Sequence, residues 1–320
     1  GHDRVSTLCQ GEYPLINKTA VLRRGLGTRQ REALSFYLFI APWALGFLAF
    51  VAGPIVASMV LSLTDYDIVL WPRFAGLSNY HELFRDPLFY KALYNTVYLA
   101  FYAVPLGMIL AFALALLLNQ KVRGIAAYRT ALYMPSIVPM VASGIVWLWL
   151  LHPQLGLVNG LLRAAGLPAP GWMASEAWSK PALILIMLWG CGGTMIIYLA
   201  GLQNVPGVLY EAATIDGANS WARFRYITIP MMSPTIFFTL VMNVISTFQV
   251  FAVVYVVTDG MGGPLNSTLV YLLYLYRSAF AFFRMGYASA MAWVLFVIIL
   301  ILTIVQFRVA PLWVHYEVER

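Results

Sequence analysis

Six long apolar runs, separated by shorter polar segments, dominate this chain. They extend from about Phe36 to Leu63, Thr96 to Leu118, Leu132 to Leu151, Pro181 to Leu202, Met231 to Val257 and Tyr287 to Phe307. About 20 apolar residues are needed for a helix to cross the hydrocarbon of a bilayer. Because the runs are continuous and do not alternate, helices are the structure that satisfies their backbone in lipid. The pattern predicts an all-α integral membrane protein with six transmembrane helices.

Prolines interrupt these runs, at Pro42, Pro54, Pro105, Pro135 and Pro139. In a membrane, neighbouring helices can satisfy the carbonyls that a proline frees. We therefore expect kinks within continuous spans, not helix ends.

Composition supports a membrane protein and limits what the loops can do. Hydrophobic residues make up 61% of the 320 residues, and the mean hydropathy is +0.77. No polar segment is long enough to bury a core of its own. The sequence predicts an N-terminal tail at 1–33, a six-helix domain at 34–310 and a C-terminal tail at 311–320. Any catalytic domain must come from another chain.

Basic residues set the expected orientation. Arg23 and Arg24 precede the first span, Lys121 lies between spans two and three, and Arg223 and Arg225 lie between spans four and five. Placing these segments and both tails in the cytoplasm puts 13 of the 20 Lys and Arg inside, as the positive-inside rule requires. Both termini are predicted to be cytoplasmic.

Charged residues are missing from the predicted spans. All 13 acids lie outside them, which disfavours a proton-coupled carrier, since such carriers keep ionisable groups at membrane depth. No lysine follows a glycine, so the chain has no P-loop for ATP. The four histidines are scattered over tails and loops, so no metal site is expected.

One polar loop stands out between spans four and five, and it reads EAATIDGANSWARFRYITIP from Glu211 to Pro230. Gly217 and Asn219 tolerate the backbone angles of a sharp turn, so the segment 208–225 is predicted to form two short helices divided there. Small apolar residues among charged ones are typical of a short helical segment that binds in a groove of a soluble partner. The alternative is an ordinary interfacial loop with a chance charge pattern.

This loop resembles the EAA loop of bacterial ABC importer permeases, through which the membrane subunit docks on its ATPase. Glu, Ala, Ala and Gly, then Ile and Pro, stand at the family spacing, and Ile229 replaces the usual Leu. The resemblance implies a cytoplasmic docking loop at 203–230 and docking by seven residues: Glu211, Ala212, Ala213, Asp216, Gly217, Arg223 and Arg225.

Other segments are similar to the maltose-permease-like, carbohydrate-uptake branch of that family. They are FAGLSNYHELFRDPLFYKALYNT from Phe74, LAGLQNVPGVLYEAATIDGA from Leu199, TDGMGGPLNSTLVYLLYLYRSAF from Thr258 and MGYASAMAW from Met285. The resemblance implies the type I ABC importer permease fold and a multi-pass protein of a bacterial or archaeal cytoplasmic membrane.

The resemblance also implies the partners. They are a second related permease, two copies of an ABC ATPase and an extracytoplasmic solute-binding protein. ATP and Mg²⁺ would bind the ATPase, and no cofactor is expected in this chain. The chain also contacts the lipid bilayer. Nucleic acid is not expected as a partner.

Polar, uncharged residues in the spans are candidates for a substrate site, because sugars are recognised by hydrogen bonds and an apolar or aromatic face. Span five offers Asn243, Ser246, Thr247, Gln249 and Val250, and the matching stretch lines the sugar site in maltose permeases. Span four adds Gly192 and Thr194, near sugar-contacting positions of that family. The alternative is that these residues bond or pack against neighbouring helices.

Two substrate classes and one other mechanism stay open at this point. A sugar or oligosaccharide is the leading expectation, and glycerol 3-phosphate or another polyol is the alternative within the same machinery. A phosphate would favour cationic groups near the pathway, and the predicted spans contain none in their cores. An ion-coupled secondary carrier is the alternative from a different class.

Trp71, Trp172, Trp178 and Trp313 are interpreted as interfacial anchors.

Overall fold

A computed structural model describes residues 28–120 and 122–315. Most of the predicted N-terminal tail, Lys121 and the last five residues lie outside the described residues. The chain divides into two compact units, Gly1–Val56 and Ala57–Arg320. The described part of the first unit comprises helix α1 (Thr28–Phe47), a π-helical turn (Leu48–Ala52) and the start of α2 (Gly53–Ser62).

The second unit is built almost entirely of helices. After a short hairpin of β1 (Thr64–Asp65) and β2 (Arg73–Phe74), they are α3 (Ser78–Leu83), α4 (Pro87–Leu118), α5 (Ile125–Ile137), α6 (Met140–Leu150), α7 (Leu157–Ala164), α8 (Glu176–Trp189), α9 (Gly192–Asn204), α10 (Gly207–Ile215), α11 (Ser220–Arg223), α12 (Ile229–Phe248), α13 (Ala252–Val257), α14 (Tyr271–Tyr276) and α15 (Met285–Val309).

The helices account for the six predicted spans. Within the described residues, four helices are long and apolar enough to cross a membrane: Ser35–Ser62, Pro87–Leu118, Ser220–Phe248 and Met285–Leu312. Two bent pairs, α5 with α6 and α8 with α9, supply the other two if each pair counts as one span. The all-α membrane fold predicted from the apolar runs is therefore confirmed.

Span three breaks where only a kink was expected. Helices α5 and α6 meet at an angle of 99°, with Val138 extended at ψ 128° and Pro139 in the N-cap position of α6. A residue before proline is pushed out of the helical region by the proline ring. The expectation of a mere kink is wrong here, whereas Pro42, Pro105 and Pro135 do lie inside helices.

Spans four and five are also interrupted. The break at Gly190 and Cys191 bends α8 against α9 by 47°. Helix α12 ends at Phe248, and Phe251 (φ −142°, ψ −63°) separates it from α13. The predicted continuous span to Val257 is thus wrong. Both breaks lie beside the residues proposed as a substrate site.

Two helices begin earlier than the apolar runs suggest. Helix α4 starts at Pro87 rather than at Thr96, because the Asp86 carboxylate caps it by accepting the Leu88 N–H at 2.8 Å. Helix α8 starts at Glu176, so this acid lies in the first turn of a spanning pair and not outside it. Its carboxylate pairs with Lys91 of α4, at 3.4 Å.

Helix α4 lies at the centre of the second unit. Its buried side chains contribute to one apolar cluster with α6, α8, α14 and α15. A second cluster forms further along α4, where Ala111 and Ala115 pack with Tyr198 of α9 and Met232 of α12. Small residues on α4 let the neighbouring helices approach closely. The second cluster includes Leu202 near the end of α9, just before the polar loop begins.

Candidate functional site

The polar loop forms two short helices, as the sequence predicts. Helix α10 ends at Ile215, Gly217 takes the left-handed conformation with φ +78°, and α11 begins at Ser220. The Asn219 side chain caps α11 by accepting the Ala222 N–H at 2.8 Å. An added Cβ at Gly217 would meet nothing within 4 Å. The backbone conformation, not the space, therefore favours glycine at this turn.

Polar side chains hold the two helices of the loop together. Arg223 donates to the Thr214 hydroxyl at 3.0 Å and to the Ser220 hydroxyl at 3.3 Å. The hydroxyls of Tyr210 and Thr228 share a hydrogen bond of 2.9 Å. Of the predicted docking residues, Arg223 thus braces the loop from within.

One face of the loop is exposed and carries both apolar and charged side chains. Val208, Glu211, Ala212 and Ile215 lie at helical spacing i, i+3, i+4, i+7, and Ile215 is 87% exposed. Trp221 of α11 is 69% exposed. Val208 and Ile215 were not singled out from the sequence, although their spacing with Glu211 and Ala212 carried the signal.

The remaining predicted docking residues belong to this exposed face or border it. Glu211, Asp216 and Arg225 are exposed, and Ala213 is half-buried. Among the described residues neither Glu211 nor Asp216 makes an ion pair. Two unpaired carboxylates beside exposed Ile215 and Trp221 form a surface suited to a partner that presents cations around an apolar groove.

The loop is continuous with span five. Helix α11, a π turn (Phe224–Thr228) and α12 form one helix of 29 residues from Ser220 to Phe248. Aromatic rings link the same region to α4 and α9: ring centroids lie 5.5 Å apart for Trp221 and Phe224, 6.2 Å for Phe224 and Phe112, and 5.4 Å for Phe112 and Tyr198. Helices α11 and α12 are therefore parts of one continuous element.

A cavity of about 470 Å³ lies at the other end of that helix. Five of the seven predicted substrate-lining residues face it: Asn243, Ser246, Thr247, Gln249 and Val250. Helices α5, α6 and α8 supply the opposite wall. None of the residues that line it is charged. The cavity thus offers hydroxyl and amide groups to a neutral polar ligand.

The two predicted residues of span four lie elsewhere. Thr194 lines a small adjoining cavity of about 90 Å³ together with Asn243 and Thr247. Gly192 lines neither cavity. An added Cβ there would lie 2.7 Å from the Leu132 carbonyl of α5. Gly192 is therefore a glycine of close helix contact.

Trp189 is a residue of this cavity that sequence reasoning missed. It ends α8, is partly exposed, and lines the cavity beside Gly190. Its ring packs edge-to-face on buried Trp147, with centroids 5.9 Å apart. The sequence feature that could have identified it is an aromatic residue, Trp189, directly before Gly190 within an apolar run, since glycine often marks a helix end. An indole face next to amides and hydroxyls is a typical surface for a sugar.

A polar cluster joins helices at the start of α4. The Asp86 carboxylate accepts hydrogen bonds from the hydroxyls of Tyr287, at 2.7 Å, and of Tyr274. Arg284 bonds Glu82 at 2.5 Å. This cluster ties the starts of α4 and α15 to α3 and α14.

The surroundings of Asp86 change its acidity. Burial by itself would raise the pKa of the carboxyl, but the hydrogen bonds from Tyr274, Tyr287 and the N–H groups of Leu88 and Phe89 outweigh it and lower the pKa. Burial and the bond to Asp86 raise the pKa of Tyr274 to about 12. The carboxylate is therefore the form that the cluster stabilises.

Known proteins resemble the chain over most of its length. Residues 103–314 match the family model described as "Binding-protein-dependent transport system inner membrane component". The chain is 42% identical to the probable ABC transporter permease protein YesP of Bacillus subtilis over 90% of this chain and 94% of the relative. It is 38% identical to the lactose transport system permease protein LacF of Rhizobium radiobacter, over 89% and 99%. The arabinooligosaccharides transport system permease protein AraP of Bacillus subtilis is 34% identical, over 86% and 88%.

A solved structure shares the fold. A chain in the crystal structure of a bacterial ABC transporter involved in the import of the acidic polysaccharide alginate matches with a TM-score of 0.78 and 24% identity. The match covers 88% of this chain and 96% of that one. The likeness supports the helical arrangement described above.

Proposed function

Since the chain belongs to the family of binding-protein-dependent transport system inner membrane components, we propose that it is one of two permease subunits of an ATP-driven importer of a sugar or oligosaccharide. Its relatives LacF and AraP are named for lactose and arabinooligosaccharide transport. The observation that carries the proposal is a single helix with the exposed loop at one end and an uncharged polar cavity at the other.

The loop from Gly207 to Thr228 is the docking surface in this proposal. Ile215 and Trp221 enter an apolar groove of an ABC ATPase, and Glu211 and Asp216 meet cations around that groove. The ATPase binds ATP and Mg²⁺ and performs the hydrolysis. This chain contributes the docking loop that contacts the ATPase and the helix that connects this loop to the cavity. It carries no catalytic residue.

The coupling between the docking loop and the cavity depends on the continuity of α11, the π turn and α12. When two ATPases close on ATP, the docking loop moves with them, and α12 carries that displacement to Asn243 and Thr247. The cavity opens to one side of the membrane in one conformation and to the other side in a second conformation. A change between them requires a difference in free energy, and closure of the ATPases supplies that difference.

The cavity provides half of the substrate site. Asn243, Ser246 and Gln249 hydrogen-bond sugar hydroxyls, and Trp189 stacks on a sugar ring. The lining contains no cation, which favours a neutral saccharide over glycerol 3-phosphate. A second, related permease supplies the facing half, and an extracytoplasmic binding protein delivers the ligand.

The test is reconstitution. The chain is co-expressed with a candidate second permease and ATPase, placed in proteoliposomes, and supplied with binding protein and a panel of lactose, trehalose and arabino-oligosaccharides. ATP-dependent uptake of one member is expected, and Asn243→Leu should raise the KM of uptake with assembly unchanged. Failure of the chain to copurify with any ABC ATPase, or uptake driven by an ion gradient without ATP, would refute the proposal.

A further inference from the structure

The segment between α6 and α8 presents an exposed apolar surface. We call Leu155, Leu157, Leu161 and Leu167 the leucine face. Leu155 is 87% exposed and Leu161 64%. From 155 to 168, Arg163 is the only exposed residue with a polar side chain. Such a surface is unusual for a loop that is surrounded by water.

The polar atoms of this segment are turned inward. Asn159 is fully buried, and its amide donates to the carbonyls of Pro153 and Pro170, both at 3.0 Å. Its side-chain oxygen accepts the indole N–H of Trp172 at 2.8 Å. The guanidinium of Arg163 donates to the carbonyl of Gln154 at 3.2 Å and to that of Pro153.

This arrangement satisfies backbone groups without water. Carbonyls of an exposed loop are ordinarily hydrated and need no side-chain donor. In a layer poor in water, a carbonyl without a donor costs free energy, so internal donors are required. With polar atoms inside and leucines outside, the segment has the polarity expected at a lipid surface.

The topology places the segment at a membrane face. Helices α6 and α8 both belong to spanning pairs, and only residues 151–156 separate α6 from α7. A chain advances at most about 3.6 Å per residue, so α7 cannot reach far from the membrane. The spanning pair of α8 and α9 separates it from the docking loop, which puts α7 on the opposite face.

We propose that α7 and its flanking turns lie in the interfacial layer of the membrane, with the leucine face buried among lipid acyl chains. An amphipathic helix of this kind lies flat, its apolar side a few ångströms below the headgroups. Arg163 then stands at headgroup level. The anchored segment fixes the outer ends of α6 and α8, whose Ser143 and Trp189 line the cavity.

A soluble protein is the less suitable occupant of the leucine face. Interfaces with soluble partners carry polar groups around an apolar centre, and this face offers Arg163 alone, already engaged with two carbonyls. The proposal depends on the membrane-spanning fold but not on the substrate or on the ATPase.

Nitroxide labelling of the full chain in lipid nanodiscs tests the proposal. In a background of Cys9→Ser and Cys191→Ala, Leu161→Cys is labelled, and Glu211→Cys on the exposed docking loop is the matched water-exposed control. Collision rates are measured with oxygen, which concentrates in lipid, and with a nickel chelate, which stays in water. The ratio of oxygen to nickel collisions at Leu161 should exceed that at Glu211 about tenfold.

Other results would overturn the inference. A ratio at Leu161 equal to that at Glu211 places the leucine face in water. Nitroxide immobilisation only after addition of the binding protein assigns the face to that partner. Leu157→Cys gives an independent position if the first variant does not fold, as judged by size-exclusion chromatography. Because no transport is measured, failure here leaves the proposed importer function standing.

Discussion

At the scale of single residues, Gly217 shows how a backbone requirement can be read from sequence. Its φ of +78° is open to glycine and strained for other residues, although an added side chain would meet no neighbour. The strain for a β-branched residue is roughly 1–3 kcal/mol. Asparagine tolerates this region better than other non-glycine residues.

We therefore expect Gly217→Val to lower sugar-coupled ATP hydrolysis about tenfold, because about 1.4 kcal/mol corresponds to a tenfold change in an equilibrium. Gly217→Asn should retain most of the coupling. Gly76→Val, at a glycine with φ +60° and open space outside the docking loop, is the control and should keep wild-type coupling. Equal coupling in Val, Asn and wild-type proteins would show that the turn is not used in docking.

Trp189 offers a second test at this scale, since its ring borders the cavity at a helix break. Loss of an aromatic contact costs about 1–2 kcal/mol, so Trp189→Ala should raise the KM of uptake roughly 5- to 30-fold. Trp189→Phe should keep most of the affinity. Trp149→Ala, an exposed tryptophan of α6 that does not line the cavity, should leave the KM unchanged; an equal rise there would indicate general damage.

At the scale of elements, the joint between α10 and the π turn decides how firmly the docking loop holds α12. The hydrogen bond of Tyr210 to Thr228 spans that joint, and Thr228 is buried. A hydrogen bond contributes about 1 kcal/mol net. Its loss weakens the connection between α10 and the helix that continues into α12.

We expect Tyr210→Phe and Thr228→Val each to raise the ATP hydrolysed per sugar transported about fivefold. The double variant should be no worse than either single one, since both remove the same bond. Tyr226→Phe, on an exposed ring of the same turn, is the control. Additive effects of the two substitutions would mean that the residues act separately.

Helix boundaries follow local signals that the sequence holds, but helix breaks do not. Asp86 and Pro87 form a cap and first turn that can be read directly. Pro135 continues its helix whereas Pro139 begins a new one at 99°. The proline alone does not distinguish the two cases, since a proline can continue a membrane helix wherever other groups satisfy the carbonyls that it frees.

At the scale of the whole molecule, the Asp86 cluster joins residues that are 188 and 201 positions apart along the chain. Its carboxylate has a lowered pKa in the folded protein. The stabilisation is therefore complete above the ordinary carboxyl pKa, near 4, and is lost as the pH falls through the lower folded value.

Thermal unfolding should report this pH dependence. Asp86→Asn is expected to lower the Tm relative to wild type at pH 7 and pH 5, because hydrogen bonds to a charged group contribute about 1.5–3 kcal/mol. The difference should shrink below pH 4. Asp65→Asn, an exposed acid of β1, is the control with no expected change. A gap between Asp86→Asn and wild type that does not depend on pH would contradict the assignment.

The sequence by itself determined the class of fold, the six apolar runs that form spanning helices or bent helix pairs, and the position of the polar loop between the fourth and fifth runs. These features depend on local composition: apolar length, basic flanks and a glycine turn act within a few residues of where they stand. The EAA-like loop is two helices divided at Gly217, as its residues indicated.

Only the tertiary structure decided where the spans break, that Arg223 braces the loop, that Gly192 is a packing residue, and that Trp189 shares a cavity with Asn243 and Gln249. It also showed that one helix connects the polar loop to that cavity. Each of these features depends on contacts between residues far apart in sequence. Packing selects among the conformations that local signals leave open. For that reason these contacts and helix breaks could not be predicted from the sequence.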